Sequence, residues 1–275
     1  MKGKIYLVAT PIGNLEDITL RALKILKEVD FIAAEDTRHT LKLLNHFNIS
    51  KPLISYYKEK EKVKSDILIK KVVEGKNVAI VSDAGTPGIS DPGEEIVKNA
   101  LNHGIEIVPV PGACAFINAL ICSGIPSKEF CFIGFLSSIK KDKKDKLEEI
   151  KYETKTIILY ESPHRLKATL ETMLEILGDR NIVLAREITK IHEEFIRGKI
   201  SEVLNNVLEV RGEFVIIIEG SKENTADVEK RELNKMTLKE HYSFYEQLGM
   251  ERKEIIKRIA KDRNTNKNEI YKQFI

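Results

Sequence analysis

Tryptophan is absent from this 275-residue chain, and cysteine occurs only three times, at Cys114, Cys122 and Cys131. An odd count with no Cys-x-x-Cys pair and no nearby histidine at ligand spacing argues against a disulfide framework and a zinc site, and fits a reducing cytoplasm. No apolar run approaches the roughly 20 residues that span a bilayer. Met1 to Val8 enters a strand pattern with no apolar leader segment, so neither secretion nor membrane insertion is expected. No G-x-G-x-x-G follows a strand and no G-x-x-x-x-G-K-[ST] occurs, which favours neither NAD nor ATP. H-E-x-x-H is missing, His192-Glu193-Glu194 lacks a second histidine, and no G-x-S-x-G elbow presents a serine nucleophile. Charge of one sign is scarce as well. The net charge is +3, from 45 Lys and Arg against 42 Asp and Glu, so affinity for nucleic acid has to come from local clusters.

What is present is an alternation of strand-length apolar runs with helix-period segments. Ile5 to Ala9, Phe31 to Ala34, Leu53 to Tyr56, Val78 to Val81 and Ile105 to Val108 form a first set of strands. Between them, Thr19 to Val29 places Ala22, Ile25, Leu26 and Val29 on one stripe, and Leu41 to Phe47, Ser65 to Val73 and Glu94 to His103 follow the same logic. After Pro111-Gly112 come an apolar helix, Ala115 to Cys122, and strands near Phe130 to Gly134, Thr156 to Tyr160, Ile182 to Ala185 and Phe214 to Ile218. The pattern predicts an α/β protein with domains over 1–112 and 113–220.

Three segments depart from this rhythm. Ser137 to Lys146 carries five lysines and two aspartates and is expected as a solvated loop; 221–235 is polar and is expected as a linker. Residues 236–275 return to helical period, and 251–275 hold eight Lys or Arg against four Asp or Glu. A basic helical appendage that binds a phosphate backbone, through residues such as Lys257 and Arg258, stands beside the plainer reading of a solvated surface helix.

The most informative segment is Ser82-Asp83-Ala84-Gly85-Thr86-Pro87-Gly88-Ile89-Ser90-Asp91-Pro92-Gly93, a long Gly- and Pro-rich loop following a strand buried on both faces. Its glycines allow close backbone approach, and Pro87 and Pro92 reduce the entropy lost on binding. Open α/β sheets place ligands at the carboxyl ends of their strands. Thr10 to Asn14, Glu35 to Arg38 and Tyr160 to Arg165 also follow strands, and parallel strands would bring all four loops to the same edges.

These residues carry a resemblance. Tyr6 to Leu15, Glu35-Asp36-Thr37-Arg38, Ser82 to Gly93, Pro111-Gly112-Ala113-Cys114-Ala115, Tyr160 to Leu166 and Ala185-Arg186-Glu187-Ile188-Thr189-Lys190 resemble, in order over about residues 3–220, the ribosomal RNA small subunit methyltransferase I family. The resemblance implies a two-domain tetrapyrrole-methylase-like fold of the class III methyltransferases with a C-terminal helical appendage. It also implies S-adenosylmethionine as methyl donor, with no metal. The acceptor would be a cytidine ribose 2′-hydroxyl in the decoding region of 16S rRNA, in the small ribosomal subunit rather than DNA, and the enzyme would be a cytoplasmic homodimer.

Carried over by motif position, the donor would lie against Pro11, Ser82, Asp83, Ala84, Gly85, Cys114, Ala115, Tyr160, Glu161, Gly212, Glu213 and Phe214. Cys114 stands where related enzymes often have Ser or Thr, and Ser137 replaces the proline that commonly follows Gly-Phe-Leu. A sulfonium is already activated, so positioning of the acceptor matters more than a metal, and a base would add about 10²- to 10⁴-fold. His164, Lys190, Glu35 and Asp36 are the candidate bases, while Arg38, Arg165 and Arg186 suit phosphates or base edges through their rigid donor forks. Plainer roles stand beside these: an ion pair with Asp36 or Glu35 for Arg38, a helix start for His164, a turn cap for Asp83. Two other functions share the pattern, a tetrapyrrole C-methyltransferase and an assembly factor that holds the donor without transferring its methyl.

Overall fold

The computed structural model describes residues 1–206 and 211–274. Two five-stranded sheets follow each other along the chain, and a group of short helices follows them. The first sheet contains β1 (Lys4–Val8), β2 (Phe31–Ala34), β3 (Leu53–Ser55), β4 (Val78–Val81) and β5 (Glu106–Val110), all parallel in the order β3-β2-β4-β1-β5. Every residue of β2 and β4 is buried, as expected for central parallel strands covered on both faces. α1 (Leu20–Glu28) and α2 (Thr37–His46) contribute Ala22, Leu26 and Leu44 to one face; α3 (Glu61–Val73) and α4 (Glu94–Asn102) contribute Leu68, Val72, Ile96 and Ala100 to the other. Thr19 caps α1 by accepting from the Ala22 N–H, as its position before the apolar stripe predicts.

The second sheet, of β6 (Phe130–Phe135), β7 (Thr156–Glu161), β8 (Asn181–Arg186), β9 (Glu194–Lys199) and β10 (Phe214–Ile218), has the order β6-β7-β10-β8-β9. The expectation of parallel strands does not hold here. Only β6 and β7 are parallel neighbours, and β10 runs antiparallel to both β7 and β8. The carboxyl ends of β7 and β8 therefore share an edge with the amino end of β10, where Phe214 is in register with both Glu161 and Arg186. α5 (Ala115–Ser123) covers one face through Phe116, Ala119 and Leu120. α6 (Lys140–Glu149), α7 (Pro163–Leu177) and α8 (Ile200–Asn206) cover the other.

Two segments differ from their expected form. Most of the lysine-rich stretch expected as a loop is α6, held to the core by buried Leu147 and by Lys143, whose ammonium donates to Thr169 Oγ1 at 3.1 Å. Its other lysines are helix formers that lie outside, two of them, Lys144 and Lys146, paired with Glu175 and Glu149. Most of the expected linker is α9 (Thr225–Lys235), begun by a reciprocal cap between Asn224 and Asp227. Leu233 packs with the appendage, so α9 is part of that unit, together with α10 (Leu238–Gln247), α11 (Arg252–Asp262) and α12 (Lys267–Lys272). Their core is Tyr245, Ile255, Ile256, Ile259, Ala260 and Ile270.

Candidate active site

The strand-end loops of the first sheet are tied together before they reach the second domain. Thr10 and Gly85 form a two-way backbone bridge, with N···O distances of 2.8 and 3.1 Å. Ser82, buried, turns its hydroxyl toward the Ala84 and Gly85 carbonyls, and Thr86 donates to the Ala113 carbonyl at 3.0 Å. The Asp36 N–H donates to Asp83 Oδ1 at 2.9 Å, joining the β2 and β4 loops. At the far end of the long loop, Glu61 accepts from the backbone N–H groups of Gly93 and Glu95 and from the Tyr56 hydroxyl. Gly93 presses against Gly88 so closely that a Cβ on Gly93 would lie 2.8 Å from the Gly88 nitrogen, which is why glycine is needed there.

A cavity of about 500 Å³ opens where these loops face the shared edge of the second sheet. Its first-domain wall includes Ile12, Glu35, Asp83, Ala84, Gly85 and Asp91. Its second-domain wall includes Cys114, Ala115, Tyr160, Glu161, Glu213 and Phe214. Ile188 and Val215 add apolar surface, and Phe135 stands at the rim, 57% exposed, with its ring 5.5 Å from that of Tyr160. Among the described residues, no group of three His, Cys, Asp or Glu side chains is placed to hold a metal ion, and no helix is long and apolar enough to cross a membrane.

The lining is acidic and its groups differ in what holds them. Glu161 is buried; it accepts from the Ser162 N–H at 2.8 Å and the Thr169 hydroxyl at 2.7 Å, with the Arg165 guanidinium at 3.4 Å. Glu187 accepts from the Lys190 ammonium at 2.9 Å and the Glu213 N–H at 3.0 Å. Burial, then the Asp83 charge, raises the Glu35 carboxyl above its ordinary value. Asp91 is pushed up to about 7, chiefly by burial and then by Glu35, Asp83 and Glu213. Burial also raises the Tyr160 phenol and the Cys114 thiol.

Backbone strain gathers at the same place. Ser90, Glu187 and Thr189 have φ of +66°, +48° and +67° without being glycine, a conformation that costs on the order of 1–3 kcal/mol each. A Cβ on Gly212 would sit 2.4 Å from the Glu187 side chain, so Gly212 lets that carboxylate fold back under the sheet edge.

A model of the family described as Tetrapyrrole (Corrin/Porphyrin) Methylases matches residues 4–204. The ribosomal RNA small subunit methyltransferase I of Bacillus subtilis is 51% identical over 274 residues, covering 99% of this chain and 94% of that protein. This chain belongs to the ribosomal RNA small subunit methyltransferase I family. The Halalkalibacterium halodurans member is 50% identical over 274 residues, 98% of this chain and 94% of that one. The Thermotoga maritima member is 47% identical over 222 residues, which are 80% of this chain and the whole of that protein. Among solved structures, a uroporphyrin-III-C-methyltransferase from Thermus thermophilus superposes with a TM-score of 0.58 at 20% identity, covering 79% of this chain and 94% of that one. The methyltransferase CobJ gives 0.60 at 18%, covering 80% and 95%. Both share the fold.

In this family member, nine residues expected at the donor line the cavity: Asp83, Ala84, Gly85, Cys114, Ala115, Tyr160, Glu161, Glu213 and Phe214. Three do not. Pro11 lies beside the lining Ile12, Ser82 is turned inward, and Gly212 lies behind Glu187. Of the candidate bases, Glu35 and Lys190 line the cavity. Lys190 is ion-paired to Glu187 and Glu213 and its pKa is raised, so it stays charged and has no lone pair to accept a proton.

Asp36 caps α2 and pairs with Arg38 at 2.7 Å, which holds its carboxyl well below the usual range. His164 is exposed in the first turn of α7 and does not line the cavity, as the helix-start alternative predicts. The arginines expected at substrate are largely committed to the protein: Arg38 to Asp36, Arg165 to the Leu136 and Ser137 carbonyls, and Arg186 to the Arg211 carbonyl and Glu194. Lys257 and Arg258 are exposed on α11, Arg258 within 3.8 Å of Asp262. Motif reading missed Asp91, Phe135 and Glu187. Asp91 stands inside the Gly- and Pro-rich loop, and only the fold turns it toward the cavity.

Proposed function

We propose that the protein transfers a methyl group from S-adenosylmethionine to the 2′-hydroxyl of a cytidine in the decoding region of 16S rRNA. The observation that carries this reading is the cavity between the two sheets, in a chain about half identical to named small-subunit rRNA methyltransferases over its full length. Its size lies within the range of about 300–1,000 Å³ typical of small-molecule sites. The donor fits its residues in kind: Ile12, Ala84, Ala115 and Val215 offer an apolar bed for a heteroaromatic ring, and Asp83, Glu35 and Glu213 offer anionic partners for cationic groups. When bound, the sulfonium supplies a methyl already activated for displacement. What the chain supplies is placement and exclusion of water, by the cross-tied Thr10, Ser82 and Thr86 loops and the strained Glu187 and Thr189 turn.

The appendage is read as a phosphate-contacting unit, since Lys253, Lys257, Lys261 and other cations lie outside its apolar core. A member of the same family is spanned whole by four-fifths of this chain's length, so the appendage strengthens RNA binding rather than performing the transfer. A cytoplasmic homodimer belongs to the same reading, with Ile117 and Ile121 exposed one turn apart on α5. The test is incubation of small ribosomal subunits with labelled donor followed by mapping of the label. Label on a cytidine ribose is expected. Label on a base would reject the ribose assignment, and donor binding without transfer would favour the non-catalytic assembly factor.

A further inference from the structure

We propose that Asp91 is the general base of this site, taking the proton of the acceptor hydroxyl as its oxygen attacks the methyl carbon. This rests on the methyl-transfer reading above and names the group that activates the acceptor. The argument begins with how each carboxylate of the cavity is held. Asp83 accepts the Asp36 N–H, Glu35 the Asp83 N–H, Glu161 the Ser162 N–H and Thr169 hydroxyl, Glu187 the Lys190 ammonium, and Glu213 faces the same ammonium. Asp91 lines the cavity with no hydrogen-bond or ion-pair partner among the described residues. Its lone pairs remain available to a ligand.

The backbone aims it there. Ser90, immediately before it, adopts the left-handed conformation at φ +66°, and such strain persists where the surroundings over-determine it. Ser90 also meets the second domain: a Cβ on Gly134 would lie 3.2 Å from Ser90 Oγ. Asp91 and Phe135 are thus the neighbours of two residues that approach one another across the two domains, and both line the cavity. Phe135, exposed at the rim, is a surface on which an unstacked base can lie, so the nucleotide is offered to the wall that carries Asp91.

The charges facing Asp91 set its proton affinity. Glu35, Asp83 and Glu213 raise it and Lys58 lowers it, after burial as the largest effect. The result, about 7, is suited to accepting a proton near neutrality, whereas Lys190 is held charged. In the step, the hydroxyl proton passes to Asp91 as the oxygen–carbon bond forms, while the carbon–sulfur bond breaks with its pair left on sulfur, giving a neutral thioether.

The experiment compares wild type, Asp91→Asn and Asp91→Glu. Calorimetric donor titration is expected to give dissociation constants within about threefold for wild type and Asp91→Asn. Transfer to small subunits is expected to lose about 10²- to 10⁴-fold in kcat for Asp91→Asn, with partial recovery in Asp91→Glu. The kcat/KM profile of wild type rises with pH through one group near 7, and that limb disappears in Asp91→Asn. Infrared difference spectra of the apoprotein should show a protonated-carboxyl band lost over the same pH range in wild type and absent from the variant. A near-normal kcat in Asp91→Asn, or a retained pH limb, overturns the proposal while the site reading stands. A wild type that binds no donor overturns both.

Discussion

Replacing Ile259 by alanine separates the appendage from the transfer site by energy alone. Ile259 is fully buried in a core made by α9 to α12, and deleting a buried Ile to Ala costs about 2–5 kcal/mol. A unit of about 50 residues with no disulfide draws only about 3–5 kcal/mol from such a core, so the substitution consumes most of its stability. The folded fraction of the appendage should fall steeply while both sheets, with separate cores, are untouched. Limited proteolysis should cut the variant first within 225–274, rRNA affinity should drop with a shallower salt dependence, and donor affinity should stay at the wild-type value. An appendage as protease-resistant as wild type would refute the energetic reasoning. An appendage cut readily while rRNA affinity is unchanged would refute its role in binding.

Other consequences follow from single groups. Glu161→Ala strips the acceptor from the Ser162 N–H, the Thr169 hydroxyl and Arg165, so stability should fall by about 2–4 kcal/mol, seen as a lower Tm; an unchanged Tm would contradict the network. Asp91 has a folded-state pKa of about 7 against an ordinary 3.8, so its ionised form works against folding; this cost is absent below pH 3.8 and complete above 7. Asp91→Asn should therefore gain Tm relative to wild type between pH 5 and pH 8, and a constant difference would refute the sign. His164→Ala should leave kcat within about threefold, because the ring is exposed and off the cavity; a loss beyond the lower end of general-base effects, about 10²-fold, would restore it as a candidate base.

The first sheet was legible because parallel strands buried on both faces appear as unbroken apolar runs, as in Phe31–Ala34 and Val78–Val81. The loops that line the cavity were legible because glycine and proline mark them and the family motif orders them. α6 was not, since one of its two buried residues is a lysine satisfied by a hydroxyl 26 residues away. α9 depends on Leu233 meeting the core built around α11, a contact that no local window contains. β9 was not legible either, being an edge strand with charges at both ends, Glu194 and Lys199; the second sheet is mixed because β10 runs antiparallel to β7 and β8 while β6 and β7 are parallel. Asp91 acquires its environment from Glu35, Asp83 and Glu213, which lie on three separate segments.

The claim on which the rest stands is that the gap between the two sheets receives the methyl donor. Ala115 lines that gap at the start of α5, half-buried at the border of the core α5 shares with the second sheet, and Ala115→Phe places a ring where the cavity is. Calorimetric titration of S-adenosylmethionine is predicted to show saturable binding to wild type and none to Ala115→Phe, with the variant still melting cooperatively. Equal affinity in the two proteins would contradict the account.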